Sequence, residues 1–271
     1  MPSVRSLPAD IAAAFEATSA GRGPFGVQWS YVDEAGSTND LAMRAAEAGA
    51  PDGTMIVAGA QTAGRGRLGR TWCSPPGAGL YVSVIVRRTA LAPWITLAGG
   101  VAVAEGIRAA TALPVQIKWP NDVVAVDGAG FRGRRKLAGV LAEASSGPAG
   151  VQHIVLGFGI NICDAAFPPE LASRVSSLET ELGRPVDAGA VLAATLVALN
   201  CATQEIAGRG GEALLSRWLA LAPSARGARI EWDTSSGPRS GLTAGLGADG
   251  ALLARTDEGV ERILSGEVRW I

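Results

Sequence analysis

Of the 24 basic residues in this 271-residue chain, two are lysine and the rest arginine. The lysines are Lys118, in Gln116-Ile117-Lys118-Trp119-Pro120-Asn121-Asp122, and Lys136, in Arg134-Arg135-Lys136-Leu137-Ala138-Gly139. A chain that uses arginine for its solvated cations retains lysine where a compact ammonium on a flexible stem does what a planar fork does not. Both lysines lie beside Gly, Asn or Asp in short apolar surroundings, which predicts a polar site at strand ends. Gln61-Thr62-Ala63-Gly64-Arg65-Gly66-Arg67-Leu68-Gly69-Arg70-Thr71-Trp72 supplies a second kind of chemistry. Its glycines allow close backbone approach, its successive N–H groups can cradle an anion, and Arg65, Arg67 and Arg70 can add charge-assisted bonds to carboxylate or phosphate. It is neither a Walker A loop nor a dinucleotide fingerprint. Taken alone it suits an anion site, an RNA-binding turn or an ordinary solvated loop. Gly157-Phe158-Gly159-Ile160-Asn161 completes the set: two glycines in a strand mark a close approach, and Asn161 offers donor and acceptor.

These segments need a scaffold. A short helix is predicted over Ala9–Ala17, then a strand at Gln28–Val32. Gly36 to Asp40 offers cap chemistry before a helix over Leu41–Ala48. Strands follow at Thr54–Ala60 and Leu80–Val86. Ile95–Ala110 has helical spacing and small residues, so it should pack closely against a sheet. Strands at Val115–Trp119 and Val123–Val126 flank a Pro-Asn-Asp turn. Arg135–Ala144 and His153–Ile162 read as strands that pair, and Val191–Ile206 and Glu212–Leu221 as helices. After Pro223 five short strands over about fifty residues suggest a small barrel. Without a regular βαβ repeat the fold class is α+β, a mixed sheet backed by helices. The expected organisation is an N-terminal extension (1–27), a catalytic unit (28–222) and a C-terminal barrel (223–271).

Composition narrows the function. An apolar content of 48% supports a substantial core. A net charge of −1 gives no electrostatic reason to expect long nucleic acid. Cys73, Cys163 and Cys201 are scattered without CxxC spacing, against a disulfide framework or zinc site. The single His153, in an apolar run, reads as a strand residue with a satisfied hydrogen bond. The first residues lack a secretory signal, and no window approaches the roughly 20 uninterrupted apolar residues of a membrane span. A soluble cytoplasmic protein is the expectation.

Taken in order, Gly36-Ser37-Thr38-Asn39, the Gln61–Trp72 loop, Lys118-Trp119-Pro120-Asn121-Asp122, Lys136-Leu137-Ala138-Gly139-Val140-Leu141 and Gly157-Phe158-Gly159-Ile160-Asn161 resemble biotin–protein ligase. The match runs roughly from Trp29 to Ile162. The segment ending in Gly266-Glu267-Val268 resembles that family's C-terminal SH3-like barrel. The resemblance implies the sheet shared with class II aminoacyl-tRNA synthetases and a two-step reaction. Biotin and ATP form biotinyl-5′-adenylate and pyrophosphate, and a lysine of a carboxylase biotin carrier domain then takes the biotinyl group and releases AMP. It also implies roles. Ser37, Thr38, Asn39 and Gln61 should face biotin's ring with the backbone of Gly64, Gly66 and Gly139. Arg65 and Arg67 should close over the valerate carboxylate and the adenylate phosphate, on a loop that stays mobile until ligand arrives. Lys136 should bridge carboxylate and phosphate as the essential residue, with Lys118 supporting the same charge. Arg70, Trp72, Asn121 and Asn161 should shape the nucleotide end. Mg²⁺ is expected with ATP, with Asp122 a candidate to lie near it, and Cys163 to Ser177 should cover adenine.

Some relatives carry an N-terminal winged helix and act as repressors. Here about 28 residues precede the first core strand, so a monofunctional ligase without DNA binding is expected. A strand edge near Ala138–Ala144 offers a route to a homodimer. Two rivals remain: a lipoate or octanoate ligase or transferase of the same superfamily, and a nucleic-acid-binding protein.

Overall fold

The computed structural model describes residues 5–126, 135–148, 150–164, 167, 168, 171 and 173–271. Seven strands form the main sheet: β1 (Trp29–Ala35), β2 (Met55–Gln61), β3 (Gly79–Val86), β4 (Val115–Lys118), β5 (Asp122–Ala125), β6 (Lys136–Gly147) and β7 (Gly150–Asn161). Their order is β1-β2-β3-β7-β6-β5-β4. β1 and β2 run parallel and every other neighbour is antiparallel, so the sheet is mixed as expected. The predicted partners β6 and β7 pair along nearly their full lengths, from Ala138 opposite Ile160 to Gly147 opposite Gly150.

Side chains alternate between the two faces of a strand, and this divides the sheet's duties. Val82, Val84, Val140, Leu156 and Phe158 face the core that also holds α3 (Ile95–Thr111), α5 (Ala188–Arg209) and α6 (Gly211–Leu221). The small residues of α3 act as predicted. A Cβ on Gly99 would stand 2.8 Å from Val140 Cγ1, and one on Gly106 would stand 2.3 Å from Thr195 Oγ1 of α5. α5 is long and apolar enough to cross a membrane by length and composition, which the sequence reading overlooked. Most of its most apolar stretch is buried, and Leu192, Leu196 and Leu199 are core residues. The opposite face carries two things side by side. α2 (Thr38–Glu47) covers Ile85 and Val155 with Ala42 and Ala46. Beyond it the paired residues Gly157–Leu141 and Gly159–Gly139 form the floor of a cleft.

α1 (Ala9–Ala17) contributes Ile11 and Phe15 to the main core. α4 is the single turn Leu178–Leu182. The C-terminal strands β8 (Arg226–Thr234), β9 (Gly237–Leu246), β10 (Leu252–Thr256), β11 (Gly259–Ile263) and β12 (Val268–Trp270) pair in the order β11-β10-β9-β8-β12. They make one open five-stranded sheet, with β11 and β12 at opposite edges. The edge expected near Ala138–Ala144 needs correction. β5 pairs with Lys136–Gly139, so β6 is interior at its start and, among the described residues, unpaired on that side from Leu141 onward.

Candidate active site

The Lys118–Asp122 turn joins β4 to β5, with Lys118 opposite Asp122. Asp122 in turn lies opposite Gly139 of β6, and Gly139 lies opposite Gly159 of β7. Pairing alone therefore brings three distant sequence segments to one side of the sheet. The two glycines leave the floor bare, and the flat object seated there is the indole of Trp72. A Cβ on Gly159 would come within 2.4 Å of Trp72 Nε1, and one on Gly139 within 3.0 Å of Trp72 Cζ3. Lys136 curls over the same spot. Its Nζ is 5.0 Å from the centroid of the Trp72 ring and 2.7 Å from Asp122 Oδ1, and it would stand 3.1 Å from a Cβ on Gly139. One ammonium thus meets a carboxylate and an aromatic face on a glycine floor.

The Gly64–Trp72 loop folds as a small hairpin. Gly66 N–H donates to Arg70 O at 2.7 Å, and Trp72 N–H to Gly64 O at 2.9 Å. Its tip is a 3-10 turn, Arg67–Gly69, in which the exposed Leu68 takes the left-handed conformation. Three arginines leave this hairpin in three directions. Arg65 Nη2 donates to Glu143 Oε2 at 2.8 Å, and its Nη1 pairs with Asp40. Burial works against that charge, but the bonds to Glu143 and Asp40 outweigh it and raise the pKa. Arg67 Nη1 approaches Asn121 Oδ1 at 3.5 Å, and burial lowers its pKa against the pull of Asp122. Arg70 grips Glu267 of the C-terminal segment, Nη1 to Oε1 at 3.1 Å. That bond, foremost, holds the Glu267 carboxyl below its usual range.

Lys118 enters from β4, its Nζ 5.1 Å from the Trp270 ring centroid. Burial lowers its pKa; Asp122 and Glu267 oppose the shift, while Arg174 and Lys136 reinforce it.

At the other end of the cleft the chemistry is neutral and polar. Ser37 occupies the N-cap position of α2 yet makes no side-chain cap bond. The first-turn N–H of Thr38 donates instead to Gln61 Oε1 at 2.8 Å, satisfying a helix-end donor from β2. Thr38 Oγ1 lies 3.1 Å from the same oxygen, and Gln61 Nε2 donates to Ser74 Oγ at 2.9 Å. Asn39 sits over Gly157, where a Cβ would be 2.1 Å from its Oδ1. The fully buried Ser83 lies 2.8 Å from Thr38 Oγ1 and 2.6 Å from Asn39 Oδ1. The whole forms one cleft of about 1060 Å³, polar at the α2 end and cationic at the β4–β5 end. A space of that size takes an elongated ligand with an uncharged polar head and an anionic tail.

The chain matches the biotin/lipoate A/B protein ligase family over residues 30–161. It is 32% identical over 243 residues to the bifunctional ligase/repressor BirA of Bacillus spizizenii, covering 88% of this chain and 72% of that one. It is 31% identical over 241 residues to the biotin–[acetyl-CoA-carboxylase] ligase of Paracoccus denitrificans, covering 86% and 96%. This chain belongs to the biotin protein ligases. Its fold agrees with that of biotin protein ligase from Aquifex aeolicus in complex with biotin and ATP, at a TM-score of 0.75 and 29% identity over 90% of this chain and 99% of that one.

Within this ligase, Ser37, Thr38, Asn39, Gln61, Arg65, Gly66, Arg67, Arg70, Trp72, Lys118, Asn121, Lys136, Gly139 and Asn161 all line the one cleft. Gly64 does not; a Cβ there would strike Trp72 O at 2.5 Å, so it packs inward to let the hairpin turn. Arg65 lies at the α2 border, where Asp40 and Glu143 hold it. The Nδ2 groups of Asn121 and Asn161 are spent on backbone carbonyls, donating to Val140 O at 2.7 Å and Ser176 O at 2.9 Å. Asp122 holds Lys136. Of the segment expected to cover adenine, Phe167, Pro168, Leu171, Ser173, Arg174 and Val175 line the cleft; residues 165, 166, 169, 170 and 172 lie outside the described ones. His153 is a buried strand residue as expected, its Nε2 3.1 Å from Met43 Sδ.

Sequence reasoning missed Ser83, Glu143 and Trp270 as neighbours of the site. Ser83 carried a signal, a lone hydroxyl within the otherwise apolar run Leu80–Val86. Glu143 carried a weaker one, since it falls in step with Gly139 and Leu141 on β6.

Proposed function

We propose that this chain joins biotin to a lysine of a carboxylase biotin carrier domain, using ATP and passing through biotinyl-5′-adenylate. The observation that carries the reading is the place of Lys136, where the neutral polar end of the cleft meets its cationic end. Biotin's bicycle occupies the Ser37–Thr38–Asn39–Gln61 end and its valerate extends from there toward Lys136. Its carboxylate attacks the α-phosphorus of ATP, the bond to the β-phosphate bridging oxygen breaks, and pyrophosphate leaves with that electron pair. Two anions have to meet, so the chain's contribution is to hold cations where charge grows. Lys136 leaves Asp122 or shares it, and stands between carboxylate and phosphate. Lys118 and Arg67 offset the remaining phosphate charge. No protein nucleophile is required; alignment and field supply the rate. The carrier's lysine, as its free amine, then attacks the acyl carbon and AMP leaves.

Mg²⁺ enters as the partner of ATP's phosphates. Among the described residues no three His, Cys, Asp or Glu side chains gather to hold an ion, which suits a metal held mainly by substrate and water. Its chemistry there is to neutralise the pyrophosphate leaving group.

The three divisions 1–27, 28–222 and 223–271 are the units we assign. The C-terminal four-strand meander, with its last strand returned beside the first, supports an SH3-like kinship despite the open edges. The packing of α1 into the core supports a ligase that does not use residues 1–27 to bind DNA. The open stretch of β6 past Leu141 is the surface we assign to a second copy in a homodimer. All three cysteines are free, which supports a reducing, cytoplasmic setting. Purified carrier domains incubated with this chain, Mg²⁺-ATP and either labelled biotin or labelled lipoate test the assignment. Label from biotin alone is expected; label from lipoate alone would move the chain to the superfamily's other branch.

A further inference from the structure

The polar end of the cleft has a direction. Glu143 Oε2 takes Asn39 Nδ2 at 2.6 Å and Arg65 Nη2 at 2.8 Å. A carboxylate only accepts, so it decides which way the buried Asn39 amide faces: nitrogen toward Glu143, oxygen toward Ser83. The Ser83 hydroxyl has one hydrogen, and Asn39 Oδ1 at 2.6 Å receives it. The lone pairs of Ser83 Oγ then take the proton of the Thr38 hydroxyl at 2.8 Å. With its proton spent on buried Ser83, Thr38 Oγ1 keeps its lone pairs, and Thr38 lines the cleft. The relay therefore ends in an acceptor at Thr38 Oγ1, and a ligand meeting it does so through an N–H group. Biotin's ureido ring has two; a linear or dithiolane acyl chain has none.

We propose that Glu143 is a positioning residue that sets the polarity of the Glu143–Asn39–Ser83 relay, and so selects a ureido head. The proposal rests on the ligase reading above and adds to it a residue that touches no reacting atom. The shared oxygen has a second consequence: Arg65 docks the hairpin on the group that orients the amide, so seating the hairpin and ordering the head pocket are one event.

The relay makes an unusual test possible, because its polarity can be rebuilt from different parts. Asn39→Asp puts a carboxylate against Glu143 and removes the donor. Adding Glu143→Gln lets the new amide nitrogen donate to the carboxylate introduced at position 39, which still accepts from Ser83. Biotin binding is measured by calorimetry on the full chain, with ATP titrated separately and the melting temperature recorded. Asn39→Asp alone should weaken biotin by about tenfold to a hundredfold, the scale of a hydrogen bond to a charged group. The double variant should recover to within about threefold of the parent, and ATP affinity should stay within about twofold throughout, since the relay lies apart from the cationic end. A ureido-N-methylated biotin should be rejected by the parent and less so by Glu143→Ala. Equal biotin binding by parent and Asn39→Asp, or no recovery in the double variant despite a parental melting temperature, would overturn the relay alone. A parent chain that ignores biotin would overturn the ligase reading and the relay together.

Discussion

Gly159→Ala is the most quantitative test of the glycine floor. β7 is hydrogen-bonded on both sides at this point, with Tyr81 opposite on β3 and Gly139 opposite on β6, so its backbone does not yield. A methyl group there would meet Trp72 at 2.4 Å (Nε1), 2.5 Å (Cε2) and 2.8 Å (Cζ2), where ordinary contact begins at 3.4 Å. The indole must retreat by about 1 Å into the cleft to restore that spacing, and it takes with it the surface on which Lys136 rests. An ammonium–indole contact contributes about 0.5–2 kcal/mol, equivalent to about a twofold to thirtyfold change in rate if all of it is expressed in the transition state. Asp122 still holds the ammonium, which argues for the lower part of that range. The assay is biotin-dependent pyrophosphate release with ATP varied. kcat/KM for ATP should fall within that range, while biotin affinity by calorimetry stays within about twofold, because the head pocket lies apart from the indole. Gly208→Ala is the control. Nothing lies within 4 Å of a Cβ at Gly208 of α5, and alanine favours helix by up to about 1 kcal/mol, so rate should hold. A Gly159→Ala chain with parental kcat/KM for ATP would refute the seated indole and the placement of Lys136 that depends on it.

Two further outcomes follow from the cations. Lys136→Ala should lose adenylate formation far more than biotin binding, because the ammonium meets charge that develops only during attack; near-intact pyrophosphate release would remove its assigned role. Lys118 is charged below its folded pKa, which burial places under the ordinary lysine value. Its support is therefore present below that lowered value and lost as pH rises through it, giving kcat/KM for ATP an alkaline limb. Lys118→Arg should push the limb to higher pH, and an unmoved limb would assign it to another group. The same shift means the folded state binds fewer protons than the unfolded one between the two pKa values, so this group's contribution to stability grows as pH rises through that window.

Much of this was legible in the residues. Periodicity gave α3, α5 and α6 and the pairing of β6 with β7, because long apolar patterns speak for themselves. The ordered motifs brought nearly every proposed residue to one cleft. What escaped depended on partners that sequence does not reveal. Arg65 was expected to close over the valerate carboxylate and the adenylate phosphate; its pairing with Asp40 and Glu143, far from it in sequence, was not legible. Asn121 and Asn161 read as ligand groups, yet their donors meet backbone carbonyls that only the strand register brings near. The five C-terminal strands were legible, but their order β11-β10-β9-β8-β12, with the last strand beside the first, was not. α2 begins at Thr38 rather than Leu41, since the cap position falls on Ser37 and Gln61 supplies the bond a capping side chain would have made.

The most direct test of the central claim is single-turnover formation of biotinyl-5′-adenylate with no carrier present. The purified chain, biotin and Mg²⁺-ATP should yield one equivalent of pyrophosphate per chain and an enzyme-bound adenylate identifiable by mass spectrometry. ATP that stays intact with biotin present, or pyrophosphate released equally without biotin, would contradict a cleft built to bring a biotin carboxylate against the α-phosphorus.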